Sequence, residues 1–237
     1  MEELIRRTEE VLSPEPSVKL EANVRIAAQI EKTSLVGKIV ADRVINKNSV
    51  RAILCKAWNP AKGLQIVDLE ENVFLFKFAT ESDYKKVLEK GPWSIEGYNL
   101  ILKNWTQNMV VADLDLSKMA IWVQAHNLPV EYMMEGNARK IGALIAKFLD
   151  ADLTGEGDKV CVSRYLRVRV EIEVDKPLQC GFPLDLSTNP DVWIQFKYER
   201  LGDFCYKCGR LGLPLQGNEV DSHWAIKHIV IDNLLIL

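Results

Sequence analysis

The chain has 237 residues, 48% hydrophobic and 27% charged, which excludes a wholly disordered polymer and is enough for two compact units without disulfide support. A formal net charge of −3 excludes a protein that grips nucleic acid through a global excess of Lys and Arg, so any such contact must come from a local patch. The five cysteines, Cys55, Cys161, Cys180, Cys205 and Cys208, are odd in number with one close pair, the usage of a reducing compartment.

Residues 1–33 are acidic and carry Pro14 and Pro16, so a loosely ordered arm with one short helix is expected. LVGKIV (35–40) then reads as a strand. NSVRAILCKAW (48–58) has helical apolar spacing behind Asn48 or Ser49 as N-cap. GLQIVDL (63–69) and VFLFKFA (73–79) are β-rich runs joined by Glu70-Glu71-Asn72, the pattern of a hairpin. Thr80 caps a helix over ESDYKKVLEK, Gly91-Pro92 stops it, and 98–103 is again extended. The order β-α-β-β-α-β over 34–105 predicts an α+β fold of the ferredoxin-like or RNA-recognition-like kind. Period-two alternation puts Phe74, Phe76 and Phe78 on one face of their strand, where they are expected in the core.

A smaller α/β unit is predicted over 118–200. It opens with the strand MAIWVQA (119–125) and a turn at His126-Asn127-Leu128-Pro129. Met134, Ala138, Ile141, Ile145 and Phe148 recur at three- and four-residue spacing, predicting a helix over 131–149. The acid-rich 150–158 reads as a solvated loop, since its spacing is not that of a calcium-binding EF-hand. In YLRVRVEIEV (165–174), Leu166, Val168, Val170, Ile172 and Val174 share one face and Tyr165, Arg167, Arg169, Glu171 and Glu173 the other. VWIQFKYE (192–199) alternates likewise, and the two runs are predicted to form a hairpin. Its outer face would gather Tyr165, Arg167, Arg169, Trp193 and Lys197, the mixture of rings and cations that single-stranded nucleic acid uses, with Lys207 and Arg210 extending it. Cross-strand ion pairs to Glu171 and Glu173 are the competing use of the same cations.

Four segments, GPWSIEGYNLILKNW (91–105), IWVQAHNLP (121–129), RVRVEIEVDKPL (167–178) and YERLGDFCYKCGRLG (198–212), together resemble the plant domain of unknown function that precedes a CCHC knuckle in LINE-type retrotransposon proteins. The resemblance implies an RNA-recognition-like fold followed by a zinc knuckle, with nucleic-acid binding as the role; single-stranded RNA or DNA is the expected ligand. Against the RNA-recognition signature, Val73 and Leu75 stand where stacking rings are expected, so affinity is expected in the second unit. Cys205-x2-Cys208 begins a metal knuckle, but the continuation requires His at 213 and Cys at 218, where the chain has Leu213 and Asn218. A degenerate knuckle over 201–218 is therefore expected to hold zinc weakly or not at all. His223 and His228, in a divergent tail (219–237), are the substitutes that spacing allows.

Neither a nucleophile motif nor a phosphate-cradling glycine loop is present, so the chain is expected to be non-enzymatic and without a small-molecule substrate. No apolar stretch reaches the ~20 residues of a membrane helix. MEELIRRTEE does not read as a secretory signal, and an intracellular site, nuclear or cytoplasmic, is expected. The rival function is a protein-interaction adaptor that has lost zinc and nucleic-acid binding.

Overall fold

The structure, a computed structural model, describes residues 19–153, 163–186, 192–205, 208–211 and 230–232. Helix α1 (Val24–Thr33) is capped by Asn23, whose side chain accepts from the Ile26 amide, and is the short helix expected in the arm. Residues 1–18 lie outside the described residues. There follow β1 (Ser34–Ile39), α2 (Lys47–Trp58), β2 (Leu64–Glu70), β3 (Val73–Phe78), α3 (Glu81–Lys90), β4 (Trp93–Ile95) and β5 (Tyr98–Asn104). The sheet order β2-β3-β1-β5-β4 is the predicted βαββαβ arrangement with the short β4 added at one edge. Thr80 caps α3 as expected. The cap of α2 is Asn46 and not Asn48 or Ser49, whose amides it binds. Three polar residues qualify there by type, and only the extended backbone at position 46 decides among them.

Phe74, Phe76 and Phe78 are buried beneath the helices with Leu35, Leu54 and Trp58, as predicted. The Trp58 ring meets Phe76 edge-on at 4.9 Å. The opposite face of the sheet is closed too, because Trp105, Val111, Leu114 and Leu116 of the linking segment pack over buried Val36, Val73 and Leu75. The surface that an RNA-recognition sheet would present to bases is thus covered by the chain itself.

The second unit comprises β6 (Lys118–His126), α4 (Glu135–Ile145), β7 (Lys147–Asp152), β8 (Tyr165–Glu173), β9 (Gly181–Leu184), β10 (Val192–Glu199) and β11 (Val230–Asp232). Its sheet runs β11-β10-β6-β8-β7, with β9 also on β10. Two expectations are corrected here. The helix predicted to reach residue 149 ends at Ile145, and Lys147–Asp152 pairs antiparallel with β8 instead. Ile145 and Phe148 still pack on the core, so the apolar spacing is satisfied by a helix that turns into a strand. The predicted hairpin of β8 with β10 does not form: β6 lies between them, Gln124 standing opposite Arg167 on one side and Lys197 on the other. Alternation tells which residues share a face, but not which strand is the neighbour.

The order β7-β8-β6-β10 repeats β2-β3-β1-β5 of the first unit. The chain therefore carries two units of the same split topology, the second having no helix between β8 and β10 among the described residues. They meet at a close junction. Ile101 of β5 is fully buried in the second unit's core. The Gly202 amide donates to Asn99 Oδ1 at 2.8 Å, and the Asp203 amide to the Gly97 carbonyl at 2.6 Å. The C-terminal carbonyls of α3 are capped from across the junction, Leu88 by Arg169 at 3.1 Å and Lys90 by Arg200 at 2.7 Å. No helix among the described residues is long and apolar enough to cross a membrane.

A Cβ on Gly202 would lie 2.2 Å from the Gly97 carbonyl oxygen, which only backbone movement relieves. Gly202→Ala is expected to cost about 1–3 kcal/mol in urea unfolding. Gly136→Ala, in α4 with nothing within 4 Å of the added carbon, should be neutral or stabilising by about 0.5–1 kcal/mol. Equal effects of the two would mean that the junction is looser than described.

Candidate nucleic-acid interface

The alternation of β8 puts Leu166, Val168, Val170 and Ile172 in the core and Tyr165, Arg167, Arg169, Glu171 and Glu173 on the outer face, as predicted. Val174 follows the strand and packs on the same core. Because β6 is central, the outer face also carries Trp122, Gln124 and His126, between β8 and the Trp193, Gln195, Lys197 and Glu199 of β10. These central residues escaped the sequence reading. Their signal was present, since Met119, Ile121, Val123 and Ala125 alternate with them and are all buried.

The face is organised around one stacked ion pair. The Arg167 guanidinium lies 3.9 Å from the centroid of the Trp122 ring, with Arg169 at 5.8 Å. Arg167 donates through Nε and Nη2 to both oxygens of Glu199, each at 2.8 Å, and through Nη1 to Asp152 at 3.0 Å. Buried Gln124 donates its amide to Glu199 at 2.8 Å, so its oxygen faces His126 Nε2, also at 2.8 Å, which makes Nε2–H the donor. The His126 ring lies 5.0 Å from that of Tyr165. Burial pushes the Glu199 carboxyl up, but hydrogen bonds from Arg167 and Gln124 outweigh it and hold the group below the ordinary carboxylate value. At the opposite end of the face, Lys103 of the first unit binds Glu171 at 2.8 Å and lowers its pKa against a smaller opposing effect of burial.

These contacts sort the predicted residues. Arg167 is committed to Glu199 and Asp152, and Arg169 to the end of α3, so the competing ion-pair use of Arg167 is realised with partners other than Glu171 and Glu173. The Arg169–Glu171 end is closed by the first unit. The other end brings together Tyr165, His126, Gln195, Lys197 and Trp193, the last 38% exposed. Lys197 makes no ion pair among the described residues. Arg210 is exposed but does not extend this face, because its neighbours Phe204 and Leu211 insert into the core on the other side of the sheet. Lys207 lies outside the described residues.

Cys205 and Cys208 sit in a tight turn, the Gly209 amide donating to the Cys205 carbonyl and the Cys205 amide to that of Arg210, each at 2.8 Å. A structural zinc site takes four ligands. Among the described residues no group of three or more His, Cys, Asp or Glu side chains is placed to hold a metal. Among the described residues the donor set there is two thiols, half a tetrahedral shell. Leu213, Asn218, His223 and His228 lie outside the described residues.

Residues 27–113 match the family model of a domain of unknown function (DUF4283), and residues 172–213 match that of a zinc knuckle. The chain thus carries a DUF4283 domain followed by a stretch of zinc-knuckle type. The second match begins inside β8 and spans β9, β10 and the cysteine turn. An uncharacterized protein of Arabidopsis thaliana is 26% identical over 129 residues, 54% of this chain and 40% of that protein's length. Among solved structures, the RNA-binding domain of Hrp1 in complex with RNA is 14% identical, with 59% of this chain and 81% of that chain covered and a TM-score of 0.26. The first two RRM domains of the yeast poly(U)-binding protein Pub1 are 13% identical, with 70% and 98% covered and a TM-score of 0.25. Superpositions at that level are too loose to argue from.

Removing Arg167 would leave the Glu199 carboxylate, whose side chain is 16% exposed, without its counter-ion. Arg167→Ala is expected to cost about 2–4 kcal/mol, and adding Glu199→Gln should recover part of it in a double-mutant cycle. Since the folded-state pKa of Glu199 is depressed, its contribution is complete above the ordinary value of 4.5 and is lost as pH falls through the lower folded value. Acid unfolding below about pH 4.5 should therefore be shallower in Glu199→Gln than in the parent. Parallel curves would rule the carboxylate out as a determinant of stability.

Proposed function

We propose that this chain is a non-enzymatic nucleic-acid-binding protein that takes single-stranded RNA or DNA on the outer face of its second sheet. The observation that carries the reading is the far end of that face, where half-buried His126 and Tyr165 and exposed Trp193 bring rings beside the cation Lys197. Rings of this kind stack on any base, and a lysine beside them meets phosphate, giving affinity with little sequence choice. The zinc-knuckle match supports the same reading. Derivation from a retroelement of the LINE type rests on the four-segment resemblance, and an intracellular location, nuclear or cytoplasmic, is part of the proposal. The expected affinity is about micromolar or weaker and falls with salt.

One observation favours the rival reading of a protein-interaction adaptor. Both arginines of the face are bound to protein groups, Arg167 to the carboxylates of Glu199 and Asp152 and Arg169 to the Leu88 carbonyl, which leaves few of their donors for phosphate. Fluorescence anisotropy with labelled single-stranded RNA and DNA separates the two. Trp193→Ala should weaken binding about 5- to 100-fold, and Lys197→Ala should reduce the salt slope by about one. No binding at low salt, or binding indifferent to both substitutions, would move the assignment to the adaptor.

A further inference from the structure

In the first unit, α3 links β3 to the strand that completes the βαββαβ set and packs Val87 into the core under the sheet. The described residues of the corresponding place in the second unit, between β8 and β10, are irregular chain and the short β9. The core there is filled from elsewhere. Leu178 comes from the irregular chain, while Leu201, Phe204 and Leu211 come from the cysteine segment; all four are at most 8% exposed and lie in one cluster with Ile194, Phe196 and Tyr198.

The backbone of the turn is tied to the same core. The Leu178 amide donates to the Gly209 carbonyl at 2.8 Å, joining the turn to the segment that leaves β8. Phe204 and Leu211 face each other as an antiparallel bridge, so the turn closes between two anchored side chains. Gly209 supplies the left-handed backbone, with φ of 73°, that lets the chain reverse directly after Cys208. Each of these interactions is made by carbon, amide or carbonyl groups.

We propose that the Cys205–Cys208 turn is a metal-independent clasp of the second unit, filling the place where the described residues supply no second helix. A knuckle that depends on zinc has no core of its own and unfolds when the ion is removed. This one borrows the core of the sheet it packs on. Its fold is set by Phe204 and Leu211 whether or not a cation reaches the two sulfurs.

The test is amide hydrogen exchange on the full chain, with and without chelator and with zinc added back. The amides of Leu178, Cys205 and Gly209 should keep their protection within about threefold across all three conditions, and in the Cys205→Ser, Cys208→Ser double variant. Phe204→Ala should lose that protection by roughly an order of magnitude or more, with Leu211→Ala as the milder variant should the first fail to fold. Protection that vanishes in chelator and returns with zinc would overturn the proposal. So would protection that survives in both anchor variants.

Discussion

The contact on which the rest of the molecule depends is the backbone approach of Gly202 and Asp203 to Gly97 and Asn99. Two amide hydrogen bonds and a glycine with no room for a side chain hold the second unit against β5. Once they are made, Ile101 belongs to the second unit's core, although it sits in a strand of the first. The carbonyls that α3 leaves open at its C-terminus are then met by arginines from the other unit, in place of water. The two units are thus joined by groups that neither could satisfy alone.

This junction divides the work between two sheets of like topology. The first sheet is buried on both faces, by helices on one side and by the linking segment on the other. The second sheet keeps a polar face, and at its centre Arg167, Trp122, Glu199 and Gln124 form one network of charge-assisted hydrogen bonds and ring stacking. Such a network holds its members in fixed positions, but it also consumes the charge that a polyanion would seek. What remains for a ligand is the far end of the face, where rings outnumber cations. The binding proposed for this face is therefore stacking-led and weak, in keeping with the chain's net charge of −3.

The cysteine segment shows the same economy of parts. Its apolar residues complete a core that has no second helix among the described residues, and the backbone of the turn is tied to that core. On the proposal of a metal-independent clasp, Leu213 and Asn218 in place of His and Cys do not unfold the domain. A position that only served the metal is free to change once the turn is held from within.

Much of this was legible in the sequence, and the reason is periodicity. The alternation of 165–174 and 192–199, the three phenylalanines of β3 and the caps and breakers around α3 each report a local geometry that neighbouring residues alone dictate. They determined the βαββαβ order of the first unit, the buried face of β8 and the composition of its outer face. What the sequence could not determine was adjacency. That β6 stands between β8 and β10, that Arg167 finds Glu199 and not Glu171, and that Arg169 reaches a helix end 81 residues away all depend on groups distant in the chain. Period-two alternation assigns a side chain to a face but leaves its partner across the sheet open; strand order within the second sheet chose that partner for Arg167, and the packing of the two units chose it for Arg169.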